Sequence, residues 1–294
     1  MTPTAYSHRL GYHVYLGKPD ARPPRGARFD DLRGVITSSG IAFPPVPANF
    51  GYGGDFKGEA WLMLGNGPDD TVFPGFQGAG DCFWAGSAHE EMEAAKNAGR
   101  PIPPFSGKTI VDQYAAYTAS ANNGQGYDPQ TGANDNGTDP QQGLAWRQTT
   151  GLLDDNGVAY KIGQFVALAP GNLDELWEAA YVFGNVGIGI QLQQAQMDQF
   201  DAQQPWDYVA GSQGLGGHYV PVVGRASVDN SGLITWAERH GFTRAFYTNC
   251  NDEAYAYIDP ERYNAVTGEA PGDYTDQDLE KFIGAFAQQQ AANA

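Results

Sequence analysis

The chain has 294 residues and carries 17 Lys+Arg against 34 Asp+Glu, a formal charge of −17. That length suffices for one large domain or two small ones with a substantial core. The acidity excludes a binder of phosphate backbones, since no Lys/Arg cluster exists to replace nucleic-acid counterions, and no apolar run approaches the ~18 residues of a membrane span.

Residues 1–60 read as a Pro/Gly-rich segment in which Pro23-Pro24, Pro44-Pro45, Pro47 and the glycines at 51, 53 and 54 prevent long helices. Apolar residues recur there (Ile36, Ile41, Phe43, Val46, Phe50), so the segment is expected to wrap the core. The first residues lack a basic stretch followed by an apolar one, so Sec export is not expected; the expected location is cytoplasmic or virion-associated. From Cys82 to Asn97 the spacing turns helical. Ala85, Ala88, Met92 and Ala95 form one face, Glu90, Glu91, Glu93 and Lys96 are expected outside, and Asp81 stands at the N-cap position. A second helix is expected from about 109 to 120, a loop over the Gly/Asn/Asp-rich residues 121–140, a short helix over 142–151, and a helix capped by Asn172 with Asp174 and Glu175 in its first turn.

The chain then turns to strands. Val186–Ile190, Tyr219–Gly224 and Leu233–Trp236 are apolar runs bounded by Gly, Asn and Asp, and Phe246-Tyr247 and Tyr255–Ile258 are expected to add strand edges around a turn at 249–252. A last helix is expected over 276–290. Helices first and sheet later, without alternation, indicate an α+β fold. The domain reading is 1–60 as the wrapping segment, 61–265 as the main domain and 266–294 as a C-terminal helix and tail.

Two residues carry the chemistry. Cys82 opens its helix behind Gln77-Gly78-Ala79-Gly80-Asp81, where the helix dipole and free N–H groups favour a thiolate and could serve an oxyanion. A depressed thiol pKa and alkylation faster than at Cys250 are therefore expected. His218, after Gly216-Gly217 at the head of an apolar strand, suits a general base. Read singly, each residue also fits a structural role, the thiol as a small buried hydrophobe and the imidazole as a group satisfied by backbone.

Taken together, Gln-Gly-Ala-Gly-Asp-Cys at a helix start and Gly-His-Tyr-Val-Pro-Val-Val-Gly 136 residues later resemble the papain-like cysteine peptidases in order and separation. The resemblance covers roughly residues 60–265, with Leu62–Asn66 and Asp252–Tyr257 similar to the divergent bacterial and phage branch. It implies a helical half bearing the nucleophile, packed on an antiparallel β-sheet half. It also implies Cys82 as nucleophile, His218 as base, Gln77 as oxyanion donor and Trp236 as the ring shielding the histidine. Two spacings depart from the family: Phe83 stands between Cys82 and Trp84, and Gln77 lies five residues before the cysteine rather than six. The orienting amide of the family falls near Ile234 or Thr235, which have none, so that role passes to Glu238, Asn249, Asn251 or a backbone carbonyl, or is vacant.

The implied function is hydrolysis of peptide or isopeptide bonds in a protein or cell-wall peptide, with no cofactor, metal, nucleic acid or membrane. The alternative is a catalytically silent domain used for binding or as a virion part. His89, seven residues after Cys82, is expected at the surface or in a second layer, and Cys250 as a buried structural thiol. Residues 128–139 are rich in oxygen ligands but lack the order of an EF-hand.

Overall fold

The computed structural model describes residues 2–19, 24, 26–38, 43–51, 62–184, 186–227 and 229–259, with single positions at 275, 278, 281 and 284. Ile41, Gly53, Gly54 and most of the helix expected over 276–290 lie outside the described residues.

The chain opens with a hairpin, β1 (Thr4–Ser7) and β2 (Tyr12–Tyr15), followed by α1 (Phe29–Ser38) and the short β3 (Phe50–Gly51). A helical part comes next: α2 (Cys82–Asn97), α3 (Gly107–Ala121) and α4 (Pro140–Thr149), then β4 (Leu152–Leu153), β5 (Ala159–Tyr160) and β6 (Phe165–Ala167). The remainder alternates α5 (Leu173–Phe183), β7 (Val186–Gln193), α6 (Gln194–Asp201), β8 (Gly214–Arg225), β9 (Asn230–Thr235), β10 (Glu238–Thr243), α7 (Arg244–Cys250) and β11 (Asn251–Tyr257). The main sheet is antiparallel in the order β10-β9-β8-β7-β11-β6, with β3 added beside β8.

Strand alternation divides the core in two. Ala254 and Ala256 of β11 and Val220 and Val222 of β8 point to one face, where α5 packs. Ala5, Val14, Leu16, Phe29, Leu32 and Ile36 from the first 38 residues share that core. Tyr255, Tyr257, Tyr219 and Val223 point to the other face, against α2 and α3. The caps follow the sequence: Ser106, Asp139 and Asn172 each accept a first-turn N–H at the starts of α3, α4 and α5.

Two local expectations are corrected. Residues 246 and 247 lie in the helix α7, because Thr243 caps it by accepting the Phe246 N–H. Glu90, Glu91 and Glu93 do not face solvent but are buried. Arg147 of α4 makes the first two tolerable, donating to Glu90 Oε2 (2.7 Å) and to Glu91; Glu93 accepts from Asn97 Nδ2 (2.9 Å). A third helix of the sheet half, α6, carries no pattern strong enough to have been expected.

Candidate active site

The loop before α2 is held from outside. Ala79 N–H donates to Gly65 O (2.9 Å), and Gly80 N–H donates to both carboxylate oxygens of Asp135 (3.2 and 3.1 Å), which also accepts the Tyr114 hydroxyl (2.6 Å). Asp81 occupies the N-cap position without capping: it is fully buried and neither carboxyl oxygen has a hydrogen-bond partner. Burial, and then the Asp135 charge, push its carboxyl well above the usual range. Cys82 follows as the first helical residue, so its own N–H has no acceptor within the helix.

His218 sits on β8 opposite Ile190 of β7. It and Cys82 line one narrow crevice of about 10 Å³, with Met63, Asn66, His89 and Trp236 around them. The imidazole Nε2 lies 3.0 Å from Thr235 Oγ1, while Nδ1 is buried without a partner. With Nε2–H donating to the Thr235 hydroxyl, Nδ1 is the ring's open acceptor. Trp236 stacks on the imidazole, with centroids 5.0 Å apart and planes 21° from parallel.

The hairpin between β9 and β10 makes that stack. Thr235 pairs with Glu238, so Trp236 and Ala237 alone form the turn, and both take left-handed backbone angles (φ 42° and 65°). Two-residue hairpin turns favour Asn-Gly for this reason. A tryptophan there is held by its surroundings: the His218 ring on one side, Phe200 and Trp206 on others.

Burial governs both reacting groups. It pushes the Cys82 thiol up to about 12, against the smaller opposing pull of the Tyr219 and Gly17 backbone, and the His218 imidazole down to about 3. The expected thiolate is thus corrected. Gly17 lies against the site, its backbone close to the Cys82 thiol and to Gly80, and burial disfavours the charged form of both groups.

The structure separates the other expected residues from His218. Glu238 starts a new strand instead of prolonging the one before, so it does not share a face with Trp236, and it pairs with Arg9 (2.5 Å). Asn249 is exposed and donates to Ala245 O (2.8 Å). Asn251 donates to Gly189 O and Glu253 O and accepts the Gly171 N–H. Gln77 is exposed, donates to Gly75 O (2.9 Å) and lines a different cavity of about 880 Å³. His89 is not a surface residue: it lines the crevice, its Nε2 is 3.0 Å from Leu62 O, and burial pushes it down to about 4. Cys250 is a buried free thiol in the α5-side core.

Thr235 and Asn66 are the site residues that the sequence did not single out for a role. Thr235 lacks the carboxamide that the family resemblance asks for, although its hydroxyl supplies the same kind of acceptor. Asn66 Nδ2 donates to Tyr15 O and Ala79 O, a contact across 51 residues that no local pattern announces. Among the described residues no group of three or more His, Cys, Asp or Glu side chains is placed to hold a metal ion, and no helix is long and apolar enough to cross a membrane.

No protein-family model matches the chain, and no curated protein sequence matches it. Solved structures do. Xylellain, a cysteine protease from Xylella fastidiosa, superposes with a TM-score of 0.56 at 12% identity, covering 87% of this chain and 98% of that one. Digestive procathepsin L 3 from the larval midgut of Tenebrio molitor superposes with 0.55 at 14% identity, over 88% of this chain and 83% of its own. The fold is that of the papain-like cysteine proteases, α+β with a helical part against an antiparallel sheet.

Proposed function

We propose that the chain is a cysteine hydrolase of peptide bonds. The observation that carries this is the shared crevice: a helix-opening cysteine beside a histidine whose Nε2 is tied to Thr235 and whose Nδ1 is left over. His218 Nδ1 takes the thiol proton as Cys82 Sγ attacks the carbonyl carbon. The tetrahedral oxyanion points to the Cys82 N–H at the positive end of α2. Gln77 serves as second donor once its carboxamide turns from the Gly75 carbonyl. Collapse breaks the C–N bond, and the imidazolium gives its proton to the leaving amine. Water, deprotonated by His218, then cleaves the thioester and restores the thiol. Thr235 keeps the ring in the tautomer with its base at Nδ1, and Trp236 keeps water from that hydrogen bond. Isopeptide bonds and cell-wall peptides fit the same chemistry.

A second reading, a silent domain used for binding, is favoured by the high thiol pKa under the covering segment. Turnover of a broad peptide mixture separates the two. The hydrolase reading expects cleavage that Cys82→Ala and His218→Ala each abolish. Absence of cleavage, together with no labelling of Cys82 by a peptidyl thiol reagent, gives the silent reading.

A further inference from the structure

Residues 15–18, which leave β2 at Tyr15, cross the cleft with backbone hydrogen bonds on both sides. Tyr15 N–H donates to Asn66 O (3.2 Å), and Thr138 N–H donates to Gly17 O (2.8 Å). Lys18 N–H donates to Gly217 O (3.1 Å), the residue immediately before His218. Gly17 passes so close to the nucleophile loop that a Cβ on it would lie 1.7 Å from the Gly80 carbonyl oxygen. This is the pose of a peptide in a groove, supplied by the chain itself.

The Lys18 side chain then leaves the cleft and enters the sheet. It is 1% exposed, with Nζ 2.8 Å from Asp252 Oδ2 and 3.1 Å from Glu253 Oε1. The strand glycine Gly189 makes room for it, since a Cβ there would lie 2.3 Å from Lys18 Cε. Gln191 Nε2 (2.7 Å, to Asp252) and the Tyr255 hydroxyl (3.1 Å, to Glu253) hold the carboxylates in place, and Asp252 Oδ1 is buried without a partner.

We propose that Gly189, Asp252 and Glu253 form the side-chain selectivity pocket of the cleft, that it takes a lysine or arginine of the substrate peptide, and that Lys18 is its resident occupant. This rests on the hydrolase reading for the word substrate, while the pocket itself rests on the seated lysine. An apolar side chain would leave two buried carboxylates uncompensated, and an acidic one would add a like charge, so the pocket rejects both. The open Asp252 Oδ1 gives a guanidinium fork a further acceptor that an ammonium does not use. Gly189 sets the depth: only without a Cβ does a four-carbon stem reach the acids.

The test uses the full chain on a peptide library in which one position at a time is Lys, Arg, Leu or Glu. Cleavage at least ~10-fold faster with Lys or Arg at one fixed position is expected. Asp252→Asn combined with Glu253→Gln should bring that ratio to within about 3-fold while leucine peptides are still cut. Cleavage without basic preference, or a preference that survives the double variant, overturns the pocket and leaves the hydrolase reading standing. If neither the full chain nor its Lys18→Ala variant, whose pocket is vacated, cleaves any peptide, the hydrolase reading fails and the pocket is read by binding. Lys18→Ala should then gain thermal stability from n-butylamine but not from 1-butanol or butyrate. Where that variant does not fold unaided, its refolding yield with each additive is the same readout. Equal effects of amine and alcohol overturn the proposal.

Discussion

The helix α2 carries two buried polar sites that treat their charges in opposite ways. Two turns along it, Glu90 and Glu91 meet Arg147, whose guanidinium also donates to Ser87 (3.2 Å) and the Tyr257 hydroxyl (3.1 Å) and lies over the Tyr257 ring. Tyr219 completes the cluster with a bond to Glu90 (3.0 Å). At the N-terminus, by contrast, the Asp81 carboxyl oxygens have no hydrogen-bond partner, and the His218 ring has one bond and an open Nδ1. Burial alone is therefore no mark of a working site. Unused bonding capacity is no mark by itself either, since Arg147 Nε inside the cluster is also buried without a partner; what sets the helix start apart is a thiol and an open imidazole nitrogen on one crevice. The cluster fixes the helix; the unused atoms at its start are available to a substrate.

Removing the centre of the cluster gives the largest effect. Arg147→Ala strands two carboxylates in a dry core and should cost about 3–5 kcal/mol, read from urea unfolding. Cys82→Ala, which deletes one sulfur from a crevice, should cost far less than this. A reversal of that order would break the distinction between a structural site and a reactive one.

Thr235 tests the reactive site directly. Thr235→Val keeps the shape and leaves the buried His218 Nε2–H without an acceptor, worth about 1–3 kcal/mol. A fall of ~10- to 100-fold in kcat/KM is expected, with Thr235→Ser retaining most of the activity. Glu238→Gln and Asn249→Ala, whose side chains bind Arg9 and Ala245, should stay near the parent.

These residues also show how far a sequence carries. The helix opened by Cys82, the Asn172 cap and the strand bearing His218 are written in short-range spacing, and the papain-like resemblance rests on them. What stays hidden is long-range pairing. Arg147 lies 57 residues from Glu90, so a carboxylate-rich face looked solvated although a cation covers it. The step from Trp236 to Glu238 looked like continued strand, because neither residue of the turn is a glycine or asparagine. Thr235 was passed over by side-chain type, although an imidazole N–H asks only for an acceptor.

Acid should act through the buried histidines of the reactive region. Burial pushes His218 down to about 3 and His89 and His240 each to about 4, so all three are neutral in the folded chain. The unfolded chain takes up those protons near 6.5. Below that pH the unfolded state binds more protons, and stability falls as pH falls, by about 1.4 kcal/mol per pH unit for each group until its folded pKa is reached. Arg147, pushed well above its ordinary value by its partners against the cost of burial, stays charged throughout. His218→Gln should lose less stability than the parent between pH 7 and 4, read from urea midpoints, by the contribution of one group, while Asp81, raised by burial, acts in the opposite direction in both proteins. An unchanged slope in that variant would mean that His218 is wetter than the crevice indicates.

The smallest effect separates strain from function within the hairpin. Ala237 holds φ 65° and adds only a partly buried methyl at the edge of the α2-side core, whereas Trp236 holds φ 42° and covers His218. An L-residue in the left-handed region costs about 1 kcal/mol relative to glycine. Ala237→Gly should therefore raise stability by about 0.5–1 kcal/mol, and turnover should not change, because the Thr235–His218 bond and the stack are left intact. Trp236→Gly relieves the same kind of strain but removes the ring against His218, Phe200 and Trp206, so both stability and turnover should fall. Melting temperature and kcat/KM on the two variants give the answer together. If Ala237→Gly also lowers kcat, the stiffness of the turn, and not only the ring it presents, holds Thr235 at the imidazole.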